Sequence, residues 1–196
     1  MVIVNSYTGS MPTPDRTSLD AIVLAACELL EQDGLAGLTM NAVAQRVGVR
    51  APSLYKRVQD RDRLIQLVAE ATLVEVTARL NAETDPVQIA NAFRAFGRER
   101  PAAFQLVMTP GAGAPVARPE FGAAASEAIL RVAGNLSGSE NALVAARTFT
   151  AWASGFVSME LNGSFRLGGD LEQAWEFGVT RIIAAITAPE ADVSQP

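Results

Sequence analysis

Between Thr39 and Gly48 there is room for only about two turns of helix, and Pro52 then forces a new start four residues later. Thr39 has the side-chain oxygen that caps a helix, and Met40, Val43, Ala44 and Val47 repeat at i, i+3, i+4 and i+7. Gly48 suits a left-handed stop, and Pro52 suits the first turn of a helix, where it has no N–H to lose. One turn further on, Leu54 and Val58 share a face, which leaves Arg50, Ser53, Tyr55, Lys56 and Arg57 pointing out. Helices this short do not persist alone. They must pack on each other and on their neighbours as a helix-turn-helix.

The neighbours are legible. In "TSLDAIVLAACELLEQDG", Thr17 or Ser18 caps a helix, Ile22, Ala25, Ala26, Leu29 and Leu30 form its buried stripe, and Gly34 supplies a left-handed stop. Cys27 lies inside this helix as a packing residue. Asp60 caps a second long helix, from Arg61 to about Leu80, whose stripe is Leu64, Ile65, Val68, Ala69, Val76 and Leu80; its length is about 30 Å. Further helices are expected from Asp85 and Pro86 to about Arg100, from Pro101 to Met108, and over about 120–134, 139–161 and 170–187. The stretch "TPGAGAPVARP" reads as a long loop. Strictly alternating β-branched runs are missing, so the fold class is all-α.

Charge distribution matters more than total charge here. The chain has a net charge of −5, yet between Thr39 and Arg63 six cations face two carboxylates, a local balance of +4. A basic patch on an acidic body fits a protein that touches phosphates with one module only. With no histidine and a single cysteine, imidazole-based catalysis and the usual zinc ligand sets have no residues to work with. No catalytic residue, metal site or cofactor is expected, and the chain is not read as an enzyme. The opening residues lack the basic and apolar segments of a signal peptide, and no apolar run approaches a membrane span. A cytoplasmic protein without membrane association is expected, with a flexible arm over 1–16 and a flexible tail over 189–196.

The segment "LTMNAVAQRVGVRAPSLYKRVQDRDRLI" resembles the tetracycline-repressor family of transcriptional regulators, and the resemblance is close over about Ser18 to Leu73. It implies an N-terminal three-helix DNA-binding domain (17–60), a connecting fourth helix (61–84), and a helical ligand-binding and dimerisation domain (85–188). The resemblance also implies that Thr39 donates to a phosphate, that Tyr55 and Lys56 reach the DNA backbone and base edges beside Ser53, and that Arg61 anchors a phosphate. Arg50 departs from the pattern, since the family usually has a small hydroxyl residue there. Losing such a cap costs about 0.5–2 kcal/mol, and a cation at a helix N-terminus is itself unfavourable. Either Arg50 contacts a phosphate or guanine, or it extends into water while Ser53 takes over part of the capping. Arg46, Arg57 and Arg63 read as solvated charges.

The C-terminal half matches the family more loosely. Its last two helices look like those that pair between subunits in such regulators, with Ala142, Ala145, Ala146 and Ala153 as the small residues of close helix packing. A homodimer bound to palindromic double-stranded DNA is expected. Phe93, Phe96, Phe104, Met108, Trp152, Phe156 and Met159 are candidates to line a pocket for an unknown effector, with Gln105, Arg147, Glu160 or Asn162 as polar anchors. That effector would be apolar or amphipathic, because this half is acidic and contains no lysine. The competing expectation is a helical binding protein whose DNA domain no longer functions.

Overall fold

A computed structural model describes residues 18–187; the arm expected over 1–16 and the tail over 189–196 lie outside them. The described residues form helices and loops without a strand. The first helix, α1, is Leu19–Gly37; the Ser18 hydroxyl caps it by accepting from the Ala21 N–H at 3.1 Å. Gly34 does interrupt α1, but as a kink with φ 67° and ψ −177°, after which one more turn forms. Only glycine holds a positive φ there without strain.

Helix α2, Met40–Val47, runs from Thr39, whose Oγ1 accepts from the Ala42 N–H at 3.2 Å, to Gly48 at φ 76° and ψ 35°. Two hydrogen bonds close it, from the Gly48 N–H to the Gln45 carbonyl and from the Val49 N–H to the Ala44 carbonyl. Helix α3, Ala51–Leu54, is a single turn that continues as a bend to Val58, and Leu54 and Val58 are both fully buried. Helix α4, Arg61–Asn81, starts at Asp60, whose carboxylate accepts from the Arg63 N–H at 2.7 Å. Its N-terminal end packs on α1. Beyond that it meets helices from the rest of the chain.

Those are α5 (Pro86–Glu99), α6 (Pro101–Met108), α7 (Pro119–Ser137), α8 (Ala142–Leu161) and α9 (Leu171–Thr187). Asp85 caps α5 through two backbone N–H groups, those of Val87 and Gln88. Helix α7 runs past Gly134, where the sequence placed its end, and α8 starts at Ala142 rather than Ser139. A continuous apolar core joins α1 to α9, with Phe93, Phe96 and Phe104 near its centre. Phe93 meets Phe104 edge-on, with ring centroids 5.5 Å apart. Gly97 lets α5 lie close to α8, since a Cβ there would sit 2.5 Å from Val157 Cγ1.

Candidate nucleic-acid interface and effector cavity

The helix-turn-helix exposes a small set of donors. Tyr55 is 54% exposed, and Lys56 is exposed beside it on the bend that extends α3. Arg50 occupies the cap position of α3 without any side-chain cap bond, and among the described residues Ser53 makes no side-chain hydrogen bond that would replace it. Ser53 is half-buried. Among the described residues, the Arg50 and Lys56 side chains are exposed and unpaired. Thr39 uses an oxygen lone pair for the cap, which leaves its hydroxyl hydrogen to donate outward. Asn41, exposed in the first turn of α2, is a further amide that the sequence reading did not single out.

Arg46 and Arg63 of this segment are paired with neighbouring side chains. Arg46 pairs with Glu28 at 2.9 Å and also bonds Gln32, fastening α2 to α1, and Arg63 donates to Gln66 at 2.6 Å. Arg61 has a role that sequence did not predict. Its Nε donates to the Leu38 carbonyl at 2.8 Å and its Nη2 to the Leu35 carbonyl at 2.6 Å. These are carbonyls at the kinked end of α1 that the helix itself leaves unsatisfied. Arg61 therefore locks the first turn of α4 to the end of α1.

A cavity of about 250 Å³ lies between α4, α5, α6, α7 and α8. Its walls are apolar, with Leu73, Val76 and Leu80 of α4 facing Ile129 of α7 and Phe149 of α8; Ser126 and Thr150 supply the hydroxyls. Of the seven pocket candidates from sequence, Phe93 and Met108 line it. Phe96 and Phe104 instead fill the solid core with at most 1% exposure, and Met159 is exposed at the far end of α8. None of Gln105, Arg147, Glu160 and Asn162 lines this cavity.

Trp152 and Phe156 belong to a different cluster. Trp152 stacks on Trp175 at 5.0 Å, and Phe156 meets Trp175 edge-on at 5.1 Å. Arg94, only 4% exposed, lies over the Trp175 ring. Its guanidinium binds Glu160 through two bonds of 2.7 and 2.9 Å and Glu172 through two of 2.7 and 3.1 Å. The hydrogen bond from Arg94 holds the Glu172 carboxyl below its ordinary pKa. A buried cation is thereby fully paired, and α5, α8 and α9 are tied together.

Glu31 on α1 joins the helix-turn-helix unit to α6. Its carboxylate accepts from the backbone N–H groups of Ala102 and Ala103 in the first turn of α6, and Arg100 completes the pair at 3.4 Å. Arg100 also reaches Glu75 of α4 at 3.1 Å. The far end of α6 carries Val107 and Met108 to the cavity wall. One short helix thus spans from the helix-turn-helix unit to the cavity.

The alanines expected on a subunit-facing surface are mostly internal. Ala145 and Ala146 pack with Ala133 of α7, and Ala153 lines the cavity. The exposed stripe of α8 is instead Val144, Thr148, Ala151, Gly155 and Met159, alongside Ala174, Phe177, Arg181 and Ala184 of α9. Neither α8 nor any other described helix is long and apolar enough to cross a membrane.

Residues 22–68 match the family model of bacterial regulatory proteins of the tetR family, and residues 86–182 match that of the tetracyclin repressor-like C-terminal domain. An uncharacterised helix-turn-helix transcriptional regulator of Mycobacterium tuberculosis is 30% identical over 165 residues, 79% of this chain and 75% of its own. Among solved structures, a Rhodococcus protein of unknown function superposes with a TM-score of 0.74 at 21% identity, covering 91% of this chain and all of its own. A TetR variant from Acinetobacter baumannii, solved in complex with minocycline, has a TM-score of 0.62 at 25% identity and covers 86% of this chain and 95% of its own. With both halves matched in order, the chain belongs to the TetR family of transcriptional regulators, with a helix-turn-helix DNA-binding domain followed by a ligand-binding domain.

Proposed function

We propose that the protein is a cytoplasmic, homodimeric repressor that holds a palindromic operator and releases it when a small apolar or amphipathic molecule occupies the cavity. The observation that carries this reading is the joint placement of three features: the exposed donors on α3 and its extension, the cavity walled by α4 to α8, and Glu31 of α1. Unpaired donors stand at one end, an apolar cavity lies at the other, and the Glu31 carboxylate links them.

In this reading α3 and its extension enter the major groove, with Tyr55 and Lys56 on base edges and backbone, Ser53 beside them, and Arg50 on a phosphate or guanine. The Thr39 hydroxyl donates to a phosphate at the start of α2. Arg61 keeps its Nη1 donors for a phosphate while its other nitrogens hold α1. The stripe of Val144, Thr148, Ala151, Gly155 and Met159 with Phe177 of α9 pairs with its copy across a two-fold axis. Half-sites then lie about 34–36 Å apart or at a multiple of that spacing.

Release follows from linkage. A ligand that favours the arrangement with mis-spaced α3 helices weakens DNA binding by the factor by which DNA weakens ligand binding. The displacement passes from Val107 and Met108 along α6 to Glu31, and along α4 from Val76 to Arg61. Operator affinity measured by fluorescence anisotropy across salt concentrations, in the wild type and in Tyr55→Ala, tests the DNA-binding half of this reading.

A further inference from the structure

We infer that the cavity takes an uncharged, ring-sized molecule carrying one hydroxyl or carbonyl group; this narrows, and rests on, the reading of the cavity as the effector site. None of the lining residues is charged. Three arginines on or beside the surrounding helices are already committed elsewhere, and Arg131 and Arg147 are exposed and do not line the cavity. Arg94 is held by Glu160 and Glu172, Arg79 by Glu75 and Glu99, and Arg118 by Glu70 and Glu120. An ionised ligand would leave water without a counter-ion to meet it, which is the expensive case of burial.

Size sets the second limit. A cavity of about 150 Å³ lined by aliphatic and aromatic residues holds benzene. The 250 Å³ found here has room for one substituted ring, and a large polycyclic molecule would need the walls to move.

Polarity is confined to two hydroxyls. Ser126 donates to the Gly122 carbonyl at 2.9 Å, so its remaining capacity is to accept. Thr72, Thr77 and Thr148 each donate to the carbonyl four residues back, whereas among the described residues the Thr150 hydroxyl has no such partner. Thr150 is an exposed residue of the cavity lining, and its hydroxyl is free to donate to a ligand there. Helices α7 and α8 run antiparallel, with Ala142 Cβ 3.5 Å from where a Cβ on Gly134 would stand. Eight residues along each helix from that contact bring Ser126 and Thr150 to the same level. An acceptor site and a donor site at one level suit a single hydroxyl, and a carbonyl is served by Thr150 alone.

The test uses probes of one shape on the full chain: 4-propylbenzyl alcohol, 4-propylbenzoate, 4-propylbenzylammonium and, as a probe without a polar group, 4-propyltoluene. Calorimetry is expected to show the alcohol binding at least about a hundredfold more tightly than either ion. Thr150→Val should weaken the alcohol by about fivefold and leave 4-propyltoluene unchanged. Gly122→Leu, at a position where a Cβ meets nothing within 4 Å, should fill the cavity and weaken both neutral probes at least tenfold. Either ion binding within tenfold of the alcohol, no probe binding below about 1 mM, or alcohol binding unchanged in Gly122→Leu would overturn the inference. Operator affinity of the same protein without any probe reports separately on the regulator reading, so the two can fail independently.

Discussion

The Glu31 carboxylate, on the first helix, accepts a hydrogen bond from the backbone N–H of Ala103, in the first turn of α6, at 2.9 Å. These residues are 72 positions apart, and they join the unit that carries the helix-turn-helix to the helix that carries Met108 to the cavity. The contact is a helix N-cap supplied from outside the helix, since Arg100, at the cap position itself, offers no side-chain bond.

Replacing Glu31 with alanine removes this cap and leaves Arg100 with Glu75 alone. The expected cost is about 0.5–2 kcal/mol, the range for a lost cap, and urea denaturation measures it. Unchanged stability in Glu31→Ala would mean that the joint carries no load.

Gly178 faces the Trp152 ring so closely that a Cβ would overlap it. Gly178→Ala must push Trp152 off its stack on Trp175 and is expected to destabilise by about 1–3 kcal/mol, with a shift in tryptophan emission. Thermal denaturation followed by fluorescence reads both effects at once.

Glu172 sets an acid limit. Its folded-state pKa is depressed, chiefly by the hydrogen bond from Arg94, so its contribution to stability is complete above the unfolded pKa and is lost as pH falls through the folded one. The stability advantage of the wild type over Glu172→Gln should therefore be constant near neutrality, begin to fall near the ordinary carboxylate value of 4.5, and vanish once pH is below the depressed folded value. Denaturation midpoints of both proteins across pH check this; an advantage that grew as pH fell would contradict it.

Arg50 opposes stability and DNA contact at one position. A serine there would cap α3, so Arg50→Ser is expected to gain about 0.5–2 kcal/mol of stability. It should also weaken operator binding and reduce the salt slope by about one, the mark of a lost phosphate contact. A variant that gained stability with operator affinity and slope unchanged would leave Arg50 as a solvated residue only.

Local chemistry explains which parts were legible in the sequence. Thr39, Gly48, Asp60 and Asp85 cap or stop helices through partners within a few residues, and those bonds formed as their residue types dictate. Periodicity identified Leu64 to Leu80 as buried but could not say against which helix, because a stripe has no address. For that reason Phe96 and Phe104 read from sequence as cavity candidates although they fill the core beside it, and Ala145, Ala146 and Ala153 read as a subunit-facing surface although α7 and the cavity take them. Arg94 with Glu160 and Glu172, and Arg61 with Leu35 and Leu38, are pairings across 23 to 78 positions that only the folded chain creates. Gly34 was legible as a break, and its geometry was not, since positive φ serves both a left-handed stop and a kink.

Selection of bound sequences from a randomised duplex library by the purified protein tests the central claim most directly. The account predicts enrichment of an inverted repeat whose two halves lie on one face of the duplex, with no enrichment by Tyr55→Ala. Retention of duplexes without any shared sequence, equally by wild type and Tyr55→Ala, would contradict it.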